Sequence, residues 1–485
     1  FRQWYPVLSL KDTDPERAHA VELLGKDLVV WKNTEGKWAT FDDRCPHRAA
    51  PLTEGRVEKD GSLLCAYHGW RFDSDGKCLT IPQSERGGKD EAQAAACTKV
   101  YPTQVAQDII WVWGENGPDA GLESAVTPAA LIPELDDVEG VESSRVTAGA
   151  IYQRDLPYSW EIFMENVVDP AHVVVSHHGT RCLEPLYRTT RPKVSVRGAE
   201  RTPVRRSSFF RDTYRTRAGV LFFFFVCRCF VTIDGNNKNG SMTKLVLYCV
   251  PTRPGWCRMV SSQVRFRSYI WMLGRRRRRV RSSLLFLGRT SFCSCFSCLS
   301  IAPHKLPVWV QHVFGHLFMH QDMVFLHGQA SLGKSRGLIL ASAGYDISNY
   351  AQGVFVPAAA DNGVLTLKRW IKDIGSGGPA WSKGCDPALP PRERARDALF
   401  DVYEQHTKSC TSCLGALKNI NRCLPAVKAS AAASLAWAVL RGARAVGASA
   451  SPSASILNFV TARAMLPGLS IMLASLGSMK VRYRP

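Results

Sequence analysis

The chain has 485 residues, of which 45% are hydrophobic and 21% are charged. This composition is typical of a folded protein with more than one hydrophobic core and excludes a disordered chain. The formal net charge is +20, but eighteen arginines are concentrated in the two spans 188–217 and 265–289. Because no nucleic-acid-binding motif accompanies these arginines, we do not expect nucleic acid as a partner.

Residues 1–115 predict a β-domain. Apolar, aromatic and β-branched runs at 28–31, 38–41 and 109–113 alternate with polar turns. Short strands separated by turns favour a small domain whose loops carry the functional residues.

Two loops of this domain each carry one cysteine and one histidine. Cys45 and His47 lie in the first loop, and Cys65 and His68 follow after a spacer of seventeen residues. Two thiolates and two imidazoles fit a Rieske [2Fe–2S] cluster, in which histidines replace cysteines on one of the two irons. The alternative is a structural zinc site, but zinc fingers usually pair cysteine with cysteine and histidine with histidine. The pattern predicts the cluster, and its thiolate ligands favour a reducing compartment.

A second group of metal-ligand residues follows a linker predicted at 116–145. Asp169 and His172 share one face of a helix, whereas His177 lies about 140° further around an ideal helix. Pro170 predicts a distorted or broken helix, which would allow both imidazoles to reach one metal ion.

The third ligand of such a site is expected from a distant carboxylate. Two histidines and one carboxylate, with open positions, form the site of non-haem Fe(II) oxygenases. Asp322 is the candidate, and the alternative interpretation is a solvated carboxylate before a strand.

These motifs resemble the Rieske non-haem iron oxygenases. More narrowly, the chain is similar to the chloroplast subgroup of pheophorbide a oxygenase, chlorophyllide a oxygenase and the related inner-envelope translocon oxygenases. The similarity covers residues 1–180 well and resumes at 235–237, at 321–329 and at a Cys-x-x-Cys pair, Cys410 and Cys413.

The resemblance implies a role for each matching residue. The cluster ligands would be Cys45, His47, Cys65 and His68, and the mononuclear iron ligands His172, His177 and Asp322. Asp169 matches a carboxylate that bridges the iron ligand His172 and the cluster ligand His68 of a neighbouring subunit. This bridge predicts an oligomer, a homotrimer in this family.

The resemblance also implies the reaction and its partners. We expect a ferredoxin-dependent monooxygenase that activates O2 at Fe(II) with electrons from the [2Fe–2S] cluster. The expected substrate is a chlorophyll-derived tetrapyrrole, with pheophorbide a first and chlorophyllide a second. The expected location is the chloroplast, at the envelope or thylakoid membrane.

The rest of the catalytic domain, 146–400, is less regular. Runs at 221–226 and 245–248 predict buried strands of an antiparallel sheet. Residues 270–302 form an anomalous insertion without a counterpart in the family. A histidine repeat at every fourth residue (His312, His316, His320) predicts one helix face, for which we favour a solvated surface over a metal site.

The tail, 401–485, contains the Cys410 and Cys413 pair, interpreted either as a regulatory dithiol or as two ordinary thiols. Apolar stretches at 429–450 and 456–479 occupy the place of the family's membrane helices. Internal arginines weaken both as spanning helices, so interfacial or buried helices are the alternative.

The sequence therefore predicts an α+β protein with three parts. These are a Rieske all-β domain, a catalytic domain with an antiparallel sheet and an iron-ligand helix, and a membrane-associating helical tail. Two other functions stay open: a redox-regulatory translocon protein and a pure Rieske electron carrier.

Overall fold

The structure is a computed structural model. It describes residues 2–84, 96–142, 146–169, 171–177, 210–216, 219–227, 230–236, 241–267, 306–335, 354–358, 361–373, 377–386 and 388–447. The chain divides into two compact units, Phe1–Phe400 and Asp401–Pro485. The predicted insertion at 270–302 and the apolar stretch at 456–479 lie outside the described residues.

Short strands dominate the N-terminal part of the first unit. They are β1 Trp4–Ser9, β2 His19–Leu23, β3 Lys26–Lys32, β4 Trp38–Asp42, β5 Arg56–Val57, β6 Leu63–Leu64, β7 Arg71–Phe72, β8 Cys78–Thr80, β9 Val100–Tyr101, β10 Thr103–Ala106 and β11 Ile109–Trp113. They form three antiparallel sheets, ordered β1-β11-β10, β2-β3-β4-β9 and β5-β6-β7-β8.

Longer strands follow in the catalytic part. They are β12 Val146–Ala148, β13 Tyr152–Leu156, β14 Phe210–Thr216, β15 Gly219–Cys227, β16 Phe230–Asn236, β17 Ser241–Arg253 and β18 Trp256–Arg267. The sheet runs β12-β18-β17-β16-β15-β14, with β13 also paired to β18, and its pairs are antiparallel.

Some helices of the first unit pack against this sheet, and two short ones lie in the predicted linker. They are α1 Ala120–Val126, α2 Val138–Glu142, α3 Trp160–Val168, α4 Ala171–Ser176, α5 Val308–Ser335, α6 Asn362–Asp373 and α7 Arg396–Leu399. Short 3₁₀ turns lie at Leu52–Glu54 and Pro133–Leu135. The α+β fold class is confirmed: a β-domain is followed by a catalytic domain with an antiparallel sheet and helices.

One hydrophobic core joins the β-domain to the catalytic sheet. Trp111 of β11 packs edge-on against Tyr248 of β17, with ring centroids 5.3 Å apart, and both side chains are buried. The buried Arg258 of β18 makes a two-pronged ion pair with Asp155 at 2.6 and 2.9 Å and donates to the Val7 carbonyl at 3.1 Å. These contacts fix the orientation of the β-domain on the catalytic sheet.

The predicted helix face of histidines exists, but the expectation that it is solvated is wrong. His312 and His316 of α5 are buried. His316 Nδ1 lies 2.9 Å from the Tyr152 hydroxyl, and His320 Nε2 lies 3.1 Å from an Arg154 nitrogen. The repeat packs against β13. Its three hydrogen-bonding side chains suit this position, because buried polar groups of a helix and a strand can pair with each other.

The described residues of the second unit, 401–447, are mostly helical. α8 spans Val402–Gln405, a 3₁₀ turn spans Thr407–Ser409, and α9 spans Thr411–Gly447. Within the described residues, no helix combines the length and the apolar character that crossing a membrane requires.

A buried ion cluster holds α6 against α3. Lys368 of α6 is fully buried, and its ammonium group contacts the carboxylates of Glu161 and Glu165 on α3. We expect Lys368→Met to lower the free energy of unfolding by about 3–5 kcal/mol, because it leaves two carboxylates without their buried cation. Urea unfolding followed by circular dichroism measures this loss.

Lys11→Met is the matched control, since Lys11 pairs with Asp108 at the exposed surface and should contribute less than about 1 kcal/mol. Adding Glu161→Gln to Lys368→Met should restore part of the stability. Equal losses for the two lysine variants would show that the buried cluster does not hold the helices together.

Candidate functional site: two metal-ligand clusters

The two cysteine–histidine loops share one backbone geometry. In the first loop, the Cys45 N–H donates to the Ala50 carbonyl at 2.8 Å, and the Ala49 N–H donates back to the Cys45 carbonyl at 2.9 Å. In the second loop, the Cys65 N–H donates to the Trp70 carbonyl at 2.8 Å, and the Gly69 N–H donates back to the Cys65 carbonyl at 2.9 Å. The fifth residue of each loop has a positive φ, 56° at Ala49 and 75° at Gly69. Ala49 carries strain that glycine avoids, which is common where a loop positions ligands.

These loops bring the four predicted cluster residues together. The Cys45 and Cys65 side chains are buried and hydrogen-bonded to each other, and the rings of His47 and His68 lie 4.5 Å apart. His47 also stacks on Trp70, with centroids 4.6 Å apart and planes within 4°. The buried Nδ1 of His47 has no hydrogen-bond partner among the described residues. Such a nitrogen fits a metal ligand.

Burial keeps the Cys45 thiol protonated in the absence of a metal. Burial and the neighbouring Cys65 thiol raise the pKa of Cys45 to about 11, although the backbone N–H groups of His47 and Arg48 lower it. The buried Cys45 thiol is therefore neutral by itself, whereas a coordinated metal deprotonates its thiol ligands. The N–H groups that point at the sulfur also suit a cluster, because such hydrogen bonds tune its potential.

The helix that carries the second ligand group is broken, as Pro170 predicts. α3 ends at Val168, Asp169 is extended with φ −97° and ψ 104°, and α4 begins at Ala171. The Asp169 carboxylate accepts a hydrogen bond from the Ala171 N–H at 2.7 Å and so starts the new helix. His172 and His177 consequently lie on a segment whose direction differs from that of α3. Glu165, which lies on α3, contacts Lys368 and not these histidines.

Three side chains distant in sequence converge at this break. Nε2 of His177 lies 3.0 Å from Oδ2 of Asp322, and Nε2 of His172 lies 3.7 Å from the same oxygen. The ligand atoms of all three residues lie within 4.8 Å of one another. Asp322 is 3% exposed and lies within α5, not before a strand, so the solvated alternative is wrong.

Gln321 orients one of these imidazoles and was not identified from sequence. Nδ1 of His177 lies 2.6 Å from Oε1 of Gln321, within hydrogen-bond distance, and Nε2 of the same ring is directed at Asp322. Phe318 stacks on the same ring, with centroids 3.8 Å apart. A ligating histidine ordinarily donates its second nitrogen to an oxygen in this way, which fixes its tautomer.

The charges of this group also fit a metal ion. Burial lowers the pKa of His177, but the hydrogen bonds to Asp322 and Gln321 and the Asp322 charge together raise it above its ordinary value. The buried carboxylate therefore attracts a positive charge to Nε2, and a divalent cation satisfies the same attraction. Nδ1 of His172 has no hydrogen-bond partner among the described residues and lies 3.6 Å from Oδ2 of Asp169.

His327, in the same sequence motif as Asp322, has a structural role. Its Nδ1 donates to the Pro157 carbonyl at 2.5 Å, and its Nε2 accepts from the Glu393 N–H at 2.9 Å. These bonds hold α5 against the segment that precedes α3. They therefore help to position Asp322, which lies on α5, relative to His172 and His177.

Comparison with known proteins assigns the chain to a family. Residues 3–102 match the Rieske [2Fe-2S] domain family and residues 225–337 match the pheophorbide a oxygenase family. Over 431 residues the chain is 32% identical to pheophorbide a oxygenase of Arabidopsis thaliana, covering 85% of this chain and 72% of that protein.

The chain is a Rieske non-haem iron oxygenase. It belongs to the pheophorbide a oxygenase-like group, with a [2Fe–2S] cluster and a mononuclear iron as its cofactors. The oxygenase is also 30% identical over 437 residues to flavonoid 8-hydroxylase 2 of Ocimum basilicum, covering 87% of this chain and 74% of that protein. NdmB of Pseudomonas putida CBB5 shares the fold, with a TM-score of 0.51, 20% identity and coverage of 77% of this chain and 90% of that one.

Gln321→Leu tests the orientation of His177. We expect the oxygenase to bind Fe(II) about 10–100-fold more weakly, because an unsupported imidazole loses its fixed tautomer. Chelator competition at the mononuclear site measures this affinity, while the visible spectrum reports the cluster separately. Gln329→Leu changes an exposed glutamine of the same helix and should leave the affinity unchanged. Equal affinity in both variants would contradict a role for Gln321.

Proposed function

We propose that this oxygenase uses His172, His177 and Asp322 to hold its mononuclear iron and the two cysteine–histidine loops to hold its cluster. The observation that carries the proposal is the convergence of two Nε2 atoms on one buried carboxylate oxygen. Three ligands on one side of an iron leave positions open on the other. When bound, the two cofactors supply one-electron transfer and O2 activation at Fe(II), with electrons from an external donor.

The residues around the iron position the ligands and separate them from bulk water. His177 and Asp322 are nearly inaccessible, whereas the His172 side chain is 18% exposed. His172 therefore marks the side of the site that lies nearer the surface. Gln321 and Phe318 hold the His177 ring from two directions, which keeps its Nε2 aimed at Asp322.

Asp169 is proposed as the bridge to a cluster on a neighbouring copy of the chain. One of its oxygens is held by the Ala171 N–H, and the other lies 3.6 Å from Nδ1 of His172. The carboxylate is 30% exposed, so a ligand from outside the unit can reach it. His68 is half-buried beside Tyr67, which is 63% exposed, and so lies where a second copy has access.

This arrangement supports a homo-oligomer, a homotrimer in our proposal, in which electrons cross between subunits. Ferredoxin is the proposed donor, and the chloroplast is the proposed location, because the relatives compared above include chloroplastic proteins. We also propose that the tail associates with the envelope or thylakoid membrane.

The proposed substrate is a chlorophyll-derived tetrapyrrole, with pheophorbide a first and chlorophyllide a second, because a pheophorbide a oxygenase matches most of the chain. The other candidate substrate class is a flavonoid, because a flavonoid hydroxylase matches the chain to a similar extent. A regulatory role without turnover is the remaining alternative.

Turnover of a substrate panel tests these alternatives. Anaerobically reconstituted oxygenase, reduced by ferredoxin and then given O2, should add oxygen to pheophorbide a, as read by product mass. His172→Ala should abolish the product but keep the cluster spectrum, because it removes one iron ligand and no cluster ligand. A product only from flavonoids would replace the proposed substrate, and no product from any panel member would favour the regulatory role.

Mixed oligomers test the passage of electrons between subunits. Cys45→Ser removes the cluster and His172→Ala removes the iron site, so each variant alone should be inactive. Co-expressed with distinct tags and purified together, they should recover part of the activity, because the cluster of one subunit serves the iron of the other.

Adding Asp169→Asn to the Cys45→Ser chain should remove this rescue, whereas adding Glu35→Gln, a change at an exposed turn, should not. Mixed oligomers without activity would show that electrons pass only within a chain. A monomeric active enzyme would exclude the bridge.

A further inference from the structure

The second unit contains a cluster of metal-ligand side chains that the oxygenase reaction does not use. His406 ends α8, and Cys410 and Cys413 lie at the start of α9. All three side chains are buried. The three potential ligand atoms lie within 4.8 Å of one another.

The backbone of this turn positions the two sulfurs. Cys410 precedes the first residue of α9, Thr411, and its Sγ accepts a hydrogen bond from the Cys413 N–H at 3.5 Å. This is the position and the bond of a helix N-cap, where the helix dipole favours a negative charge. A cysteine at a helix N-terminus is therefore stabilised as a thiolate, the form that binds metals.

The imidazole lies on the other side of the sulfur pair. Nε2 of His406 is 3.2 Å from Sγ of Cys413. Ligands around a tetrahedral zinc ion, with Zn–S of about 2.3 Å and Zn–N of about 2.0 Å, lie roughly 3.5–3.8 Å apart. The observed separations are close to these values, so a small adjustment of side chains would accommodate the ion.

We propose that His406, Cys410 and Cys413 bind a zinc ion that fixes the turn between α8 and α9. Two thiolates and one imidazole match the ligands that tetrahedral zinc prefers over calcium or magnesium. Water or a further side chain completes the coordination. The ion would stabilise this turn, because it joins residues that are seven positions apart in sequence.

Metal analysis of the full-length protein, purified without a polyhistidine tag from zinc-supplemented medium, tests this site. We expect one zinc per chain in addition to the iron. His406→Ala, Cys410→Ser and Cys413→Ser should each lose the zinc and keep the visible spectrum of the cluster. Cys423→Ser is the control, since Cys423 is an exposed cysteine of the same helix and should leave the zinc content unchanged.

Alkylation of the wild-type protein gives a second measurement that does not depend on the folding of a variant. A zinc chelator should speed the modification of Cys410 and Cys413 by iodoacetamide, and added zinc should slow it again, as mapped by mass spectrometry. Wild-type protein without zinc, or with iron at this site, would overturn the proposal. So would alkylation that responds to a dithiol reductant but not to the chelator, because that pattern indicates a disulfide.

Discussion

The proposed iron site depends on one buried carboxylate oxygen, Oδ2 of Asp322, at which two imidazoles meet. A charge with 3% exposure inside an apolar core is costly unless a cation compensates it. Neutral imidazoles do not provide that cation, but the iron ion that we propose for this site would. The surrounding structure then follows from the need to hold His172 and His177 at this oxygen. The break at Asp169 turns the histidines towards it, and α5 supplies the carboxylate from the other side.

The rigidity of the site comes from elements that do not touch the iron. The Lys368 cluster fixes α3 from behind, and the two hydrogen bonds of His327 fix α5. The core around Trp111 and Tyr248 holds the β-domain on the catalytic sheet. Because these contacts join the β-domain and the catalytic sheet into one unit, the exposed side of the cluster loops has a fixed orientation relative to that sheet. A partner subunit or an electron donor would therefore meet a defined surface at His68.

Local features were predictable wherever the information lies within a few residues. The cysteine–histidine loops close on themselves through bonds between neighbours, so their spacing alone indicates their geometry. The break at Pro170 was equally predictable, because a proline cannot donate the helical hydrogen bond. The histidine repeat on α5 shows the limit. Its periodicity predicted the helix, but whether that face meets water or β13 depends on packing between residues far apart in sequence.

The sequence by itself determined the ligand types, the cluster loops, the broken helix and the α+β class, because spacing and side-chain chemistry are local properties. The sequence named Asp322 as the candidate third ligand, but tertiary structure alone decided that it is buried beside His172 and His177, since about 145 residues separate it from them. It also decided the role of Gln321, whose partner is a nitrogen on another helix. Burial removes the competition from water, and only then do such polar contacts select one orientation.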